Sequence, residues 1–358
     1  MRRRRRIRTT TLAAATAAMT ALAATIGLGS GTAAPPTPAD PIVASKHLLA
    51  SPTAPDGSKI GMFYLRDARH ITLRVHSAAM NRDITVEVQR PADAATPRPV
   101  LYLLNGAGGG EDAATWQRNT DAFGFLADKN ANIVEPLGGA WSWYTDWIRD
   151  DPVLGRNKWK TFFTDELPPL IDAALGTNGV NAIAGLSMAG SSVLELAIAK
   201  PGLYRSVASY SGCAQTSDPL GRQVVKTAVS VWGNGNPVNM WGPDTSPLWA
   251  ANDPFVHADQ LRGLHLFLSS GSGLPGPYDT LSSPFLLTPG VGSLANEILI
   301  GGLLEAGANA CTHSLQLRLA QLNIPATFDY TATGTHSWGY WQDALKQSWP
   351  TLAKGLGL

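Results

Sequence analysis

The chain has 358 residues, 44% of them hydrophobic and 15% charged, which is enough for one large α/β domain or two small ones with a packed core. Lysine and arginine total 28 against 27 acidic residues, a net charge of +1, and Arg2 to Arg6 account for part of that excess. The rest of the chain is slightly acidic and carries no basic stripe, which argues against phosphate-backbone binding and leaves no nucleic-acid partner expected.

Arg2 to Arg8 form a charged n-region, Thr11 to Leu28 a small apolar stretch, and Gly31-Thr32-Ala33-Ala34 a small-residue cleavage site. Residues 1–34 therefore read as an export signal, compatible with general or twin-arginine export, and 35–50 as a Pro-rich leader. Residues 51–358 form the single remaining domain, expected to be secreted or held in the cell envelope. In an exported chain the two cysteines, Cys213 and Cys311, predict one disulfide. Two cysteines without clustered histidines match no usual zinc spacing, and no metal or cofactor is expected.

Along the chain, Ile71 to His76 and Asp83 to Gln89 alternate apolar and polar residues, as antiparallel edge strands do. Pro99 to Leu104 and Ala131 to Pro136 are continuously apolar, the pattern of strands buried on both faces. Lys158 to Leu175 has helical period, Gly179 to Ala184 reads as a strand, and Met188 to Lys200 as a helix stopped by Pro201-Gly202. Short strands follow at Ser206 to Tyr210 and Leu264 to Leu268. A long helix over Ser293 to Leu322, a strand over Ala326 to Thr331 and a terminal helix from Gly339 complete the pattern. Such alternation predicts a mostly parallel sheet with helices on both faces. Asp218 to Pro254 breaks the rhythm, being rich in Gly, Pro and Asn with Trp232, Trp241 and Trp249, and reads as a long irregular insertion.

Gly185-Leu186-Ser187-Met188-Ala189-Gly190 places a serine among small residues between a predicted strand and a predicted helix. That is the setting of a nucleophile elbow, although Ala189 stands where the usual pattern has glycine. A serine nucleophile needs a base oriented by an acid, in the chain order Ser, acid, His for α/β-hydrolases. Among His257, His265, His313 and His336, the last lies in a turn between the final strand and final helix, where the fold delivers a base. For the acid, topology favours Asp279, just after the Leu264 to Leu268 strand, while Glu297 and Glu305 lie in the following helix; spacing does not rank the three. The N–H of Met188 and one from the loop Asn105 to Gly110 are the expected oxyanion donors. That loop lacks the lysine of a P-loop and the spacing of a dinucleotide fingerprint.

The chain resembles the secreted mycolyltransferases of mycolic-acid-bearing actinobacteria, the antigen 85 type of α/β-hydrolase. The resemblance rests on Leu103-Leu104-Asn105-Gly106, Trp143-Tyr144-Thr145-Asp146-Trp147, Lys158-Trp159-Lys160-Thr161-Phe162, Glu166-Leu167-Pro168, Gly185 to Ser192, Met240-Trp241-Gly242-Pro243, Asn252-Asp253-Pro254 and Gly334-Thr335-His336-Ser337-Trp338. It implies acyl transfer through Ser187, His336 and Glu305, which displaces Asp279 as the expected acid, with oxyanion donors at Met188 and Ala107. It further implies trehalose mycolate glycolipids and cell-wall arabinogalactan as partners, with sugar contacts at Asn105 and Trp338. Asn105 and Gly108 stand where the family commonly has Asp and Arg to hold trehalose. A secreted carboxylesterase and a non-catalytic carbohydrate- or matrix-binding relative are the competing functions; a binding module has no need to retain Ser, Glu and His.

Overall fold

A computed structural model describes residues 52–358, so the signal and leader expected over 1–50 lie outside the described residues. Nine strands form one sheet: β1 (Lys59–Leu65), β2 (His70–Ser77), β3 (Arg82–Gln89), β4 (Val100–Leu104), β5 (Asn132–Leu137), β6 (Asn181–Leu186), β7 (Tyr204–Tyr210), β8 (His265–Ser270) and β9 (Thr327–Tyr330). Their spatial order is β1-β2-β3-β5-β4-β6-β7-β8-β9. The pairs among β1, β2, β3 and β5 are antiparallel, and those from β5 through β9 are parallel.

The continuous apolar run in β4 is explained by burial on both sides: Val100, Tyr102 and Leu104 point into one core layer, Leu101 and Leu103 into the other. The first layer is closed by α3 (Leu167–Leu175) and α4 (Met188–Ala199), the second by α2 (Ala122–Leu126) and the terminal helix α10 (Trp338–Leu356). The mostly parallel α/β-hydrolase sheet with helices on both faces is thus observed. Among the described residues no helix is long and apolar enough to cross a membrane.

Several boundaries differ from the sequence reading. Strand β1 pairs with β2 and was not anticipated, and the elbow strand runs Asn181–Leu186, two residues later than expected. A short α1 (Trp116–Asn119), N-capped by Thr115, follows the glycine-rich loop. Single π-helical turns, Phe162–Glu166 and Glu297–Gly301, sit inside two of the expected helices, where a strict 3.6-residue period gives no warning of them. The insertion is more ordered than its composition suggests: α5 (Pro219–Thr227), α6 (Pro237–Trp241) and α7 (Leu248–Ala251) lie within it, and a short α8 (Val291–Asn296) follows β8. Trp241 and Trp249 meet edge to face at 5.1 Å and share a small core with Trp147, so these two are structural. Trp232 is half-buried against Trp141.

Candidate active site

Ser187 connects β6 to α4 with φ 56° and ψ −121°, a conformation that costs a side-chain-bearing residue about 1–3 kcal/mol and turns its hydroxyl out of the sheet. Small neighbours make the turn possible. A Cβ on Gly185 would meet Ala189 Cβ at 2.7 Å, and one on Gly190 would meet Gly212 Cα at 2.8 Å. Ala189 is therefore accommodated by Gly185, and the close backbone approach falls one residue later, at Gly190.

His336 Nε2 lies 2.7 Å from Ser187 Oγ, and His336 Nδ1 lies 2.7 Å from Glu305 Oε2. A carboxylate only accepts, so Nδ1 carries the hydrogen toward Glu305 and Nε2 is left to receive the serine proton. Glu305 stands in the first turn of α9 (Gly302–Gln321) and is 1% exposed. Its second oxygen accepts from Ser211 Oγ at 2.8 Å and from Gly271 N at 2.6 Å. Ser211 in turn accepts from Trp341 Nε1, and the Trp341 ring also stands edge-on to the His336 ring at 4.9 Å. One tryptophan thus braces both the base and the acid. Ser211, Gly271 and Trp341 were not singled out in the sequence; for the first two, the available signal was their place just beyond the carboxyl ends of β7 and β8.

Asp279 does not contact His336 as an orienting acid would. It accepts from Thr335 Oγ1 at 2.5 Å, Tyr340 OH at 2.5 Å and Gly276 N at 2.6 Å, gripping the histidine turn on either side. The other histidines are engaged elsewhere. His313 stacks on Tyr330 at 4.0 Å, His257 Nε2 lies 3.0 Å from the Ala250 carbonyl, and His265 opens β8 half-buried.

A Cβ on Gly106 would lie 3.5 Å from Ser187 Cβ, so the glycine-rich loop passes directly beside the serine. Among the described residues, the N–H groups of Ala107 and Met188 donate to no backbone or side-chain acceptor. The segment after β5 holds this loop in place. Trp141 N donates to Ala107 O at 2.7 Å, Trp143 N to the Met188 sulfur at 3.4 Å, and Ser192 Oγ to Trp143 O at 2.8 Å. Trp141, Trp143 and Tyr144 all have positive φ, strain concentrated where the two free N–H groups are positioned.

Two expected sugar contacts are corrected. Asn105 is fully buried, its Oδ1 accepting from Trp116 N, which also donates to Glu135 Oε1 at 2.7 Å. Trp338 is 5% exposed and packs edge to face on Trp116 and Trp341. Both side chains are taken up inside the protein, so neither offers a surface to a sugar. No sequence pattern signals this, because Trp116 opens α1, whose four residues are too few to show a helical period. Glu135, also unanticipated, is pushed up to about 7 by its burial, against the opposing hydrogen bonds from the backbone N–H groups of Trp116 and Gln117. Cys213 and Cys311 are joined in a disulfide.

Fold and site together define a serine-dependent acyl-transfer enzyme of the α/β-hydrolase class. The family described as "Putative esterase" matches residues 77–352. The chain is 33% identical over 294 residues to the diacylglycerol acyltransferase/mycolyltransferase Ag85A of Mycobacterium leprae, covering 80% of this chain and 83% of that one. It is 32% identical over 295 residues to Ag85B of Mycobacterium avium, covering 80% and 83%. The solved structure of Mycobacterium tuberculosis MPT51 (FbpC1) superposes with a TM-score of 0.66 at 25% identity, over 81% of this chain and 100% of that one. The chain belongs to this esterase family, in its antigen 85 type.

Proposed function

We propose that the chain is a secreted mycolyltransferase that moves a mycoloyl group from trehalose monomycolate to a second trehalose monomycolate or to cell-wall arabinogalactan. The observation that carries this reading is the hydrogen-bonded chain Ser187, His336, Glu305 facing two free N–H groups, in a protein similar to Ag85A and Ag85B. Ser187 Oγ attacks the ester carbonyl while His336 Nε2 takes its proton. The oxyanion then forms within reach of the N–H groups of Met188 and Ala107. His336 returns the proton to the departing trehalose oxygen, leaving the mycoloyl ester on Ser187, and the acceptor hydroxyl reverses both steps. Glu305 fixes the tautomer and steadies the imidazolium.

A long-chain substrate is supported by the segment between β8 and α9. It leaves Leu274, Leu281, Leu287, Val291 and Leu299 exposed and contains no lysine or arginine. Such an apolar rim without a fixed positive charge suits hydrocarbon rather than an anionic ligand. Secretion agrees with the disulfide and with the export signal expected over residues 1–34.

The test is to incubate the mature protein with trehalose monomycolate and separate the products. Trehalose dimycolate appearing with free trehalose supports transfer. Free mycolic acid as the sole acyl product supports the carboxylesterase alternative, and no product from an enzyme that also fails to react with a fluorophosphonate supports a binding relative.

A further inference from the structure

Glu297 opens the π-helical turn ahead of α9, and its side chain runs beside the backbone of the catalytic turn. A Cβ placed on Gly301 would lie 3.8 Å from Glu297 Cγ, 3.5 Å from His336 N and 3.7 Å from His336 Cβ. Its Oε1 is buried with no hydrogen-bond partner among the described residues, as is the hydroxyl of its neighbour Ser337. The other polar neighbour is Asp279, whose carboxylate already holds Thr335 and Tyr340 on either side of His336. Two neighbouring carboxyl groups with no cation bonded to either are stable when one of them keeps its proton.

We propose that Glu297 is a positioning residue for His336: in its protonated form it donates a hydrogen bond to Asp279 and completes the clamp on the histidine turn. The inference rests on the reading of His336 as the catalytic base. The proton is assigned to Glu297, because Asp279 accepts from Gly276, Thr335 and Tyr340 while Glu297 Oε1 has no hydrogen-bond partner among the described residues. Burial, reinforced by the Asp279 charge, pushes Glu297 up to about 7. The titratable groups around the pair are His336 in the turn, Tyr340 on α10, which donates to Asp279, and Tyr278, which packs on Tyr340 and donates to Asp343. None of them brings a fixed positive charge to replace the proton. Above that pH the two carboxylates repel, the turn loosens, and the distance from His336 to Ser187 is no longer held.

The experiment uses the mature protein, a chromogenic short-chain ester and Glu297→Gln, whose amide still donates to Asp279 but does not ionise. In the wild type, kcat is expected to fall as pH rises through about 7, with KM little changed. In Glu297→Gln that alkaline fall is lost. Glu297→Ala, lacking the donor, loses about ten- to a hundredfold in kcat at every pH, the scale of a modest misplacement of a catalytic group. Retention of the wild-type alkaline limb in Glu297→Gln would overturn the proposal. A second readout needs no turnover: the side-chain carboxyl resonance absent from Glu297→Gln must titrate near 7 in the wild type, and amide exchange at Thr335 to Ser337 must rise with that titration beyond its intrinsic pH dependence. If the wild type hydrolyses no ester, the functional reading fails on its own, and these two signals still decide whether the carboxyl pair controls the turn. Titration of Glu297 in the ordinary carboxylate range overturns the clamp whatever the activity.

Discussion

The Cβ that Gly108 lacks would lie 2.1 Å from Asp112 Oδ2, so the Asp112 carboxylate occupies the space that a side chain at position 108 needs. The family resemblance points to an arginine at 108 and an aspartate at 105, but this chain has built its loop around neither. Gly108→Arg would have to displace Asp112 or pair with it, leaving less of the guanidinium for a sugar. Asn105→Asp would set a second carboxyl beside buried Glu135. That variant is expected to lose about 1–3 kcal/mol of stability, the cost of a buried polar group left badly paired. Gly108→Arg combined with Asp112→Ala should therefore raise the ratio of trehalose dimycolate to free mycolic acid more than Gly108→Arg alone. Equal ratios in the two variants would mean that Asp112 does not restrain the introduced arginine.

Ser187→Ala is expected to lower acyl transfer by about four to six powers of ten without unfolding the protein, since the covalent route depends on that oxygen. Glu305→Gln should come close to this, because the amide neither fixes the His336 tautomer nor stabilises the imidazolium. Asp279→Asn should be milder, since Asp279 touches Thr335 and Tyr340 rather than the imidazole. Single-turnover acylation by a chromogenic ester ranks the three. A crippled Asp279→Asn beside a mild Glu305→Gln would transfer the acid role back to the residue that topology favours.

The elbow and the histidine turn were legible because each is a local pattern: small residues around Ser187 at a strand-to-helix junction, and a Gly-Thr-His-Ser turn before an amphipathic helix. The acid was not legible from the residues alone. Glu297 and Glu305 share one helical stretch, and the π turn between them is invisible to periodicity, so resemblance had to choose. The supporting groups were hidden for a different reason. Ser211, Glu135 and Trp341 matter through contacts across 94, 19 and 130 positions of sequence, which no window along the chain samples. The burial of Asn105 and Trp338 was hidden because both depend on Trp116, whose backbone N–H holds Asn105 and whose ring packs on Trp338.

Glu135 gives the fold a pH dependence of its own. Its carboxyl titrates at about 7 in the folded protein against an ordinary 4.5, so between these values the native state binds more protons than the unfolded chain. Its contribution is fully present below the unfolded value and is lost as pH rises through about 7. Glu135→Gln removes the titration, and its Tm should fall less than that of the wild type across this window. Parallel Tm curves for the two proteins would show that Glu135 does not titrate there.

The disulfide joins Cys213, two residues beyond Ser211, to Cys311, six residues beyond Glu305, across a sequence separation of 98. It therefore ties the turn that donates to Glu305 Oε1 to the helix that carries Glu305. Closing a loop of this size restricts the unfolded chain by up to about 4.7 kcal/mol in the chain-entropy model, a ceiling that native strain lowers. The double variant Cys213→Ser with Cys311→Ser should unfold at a lower temperature for that reason alone. A second effect is expected in the protein that is still folded: freed from α9, the Ser211 turn holds Glu305 less firmly, so kcat falls while KM for a small ester changes little. Measuring kcat well below the lowered Tm separates the two effects. If folded variant and wild type acylate at the same rate, the bond acts on the unfolded chain only, and Trp341 and Gly271 suffice to hold the acid in place.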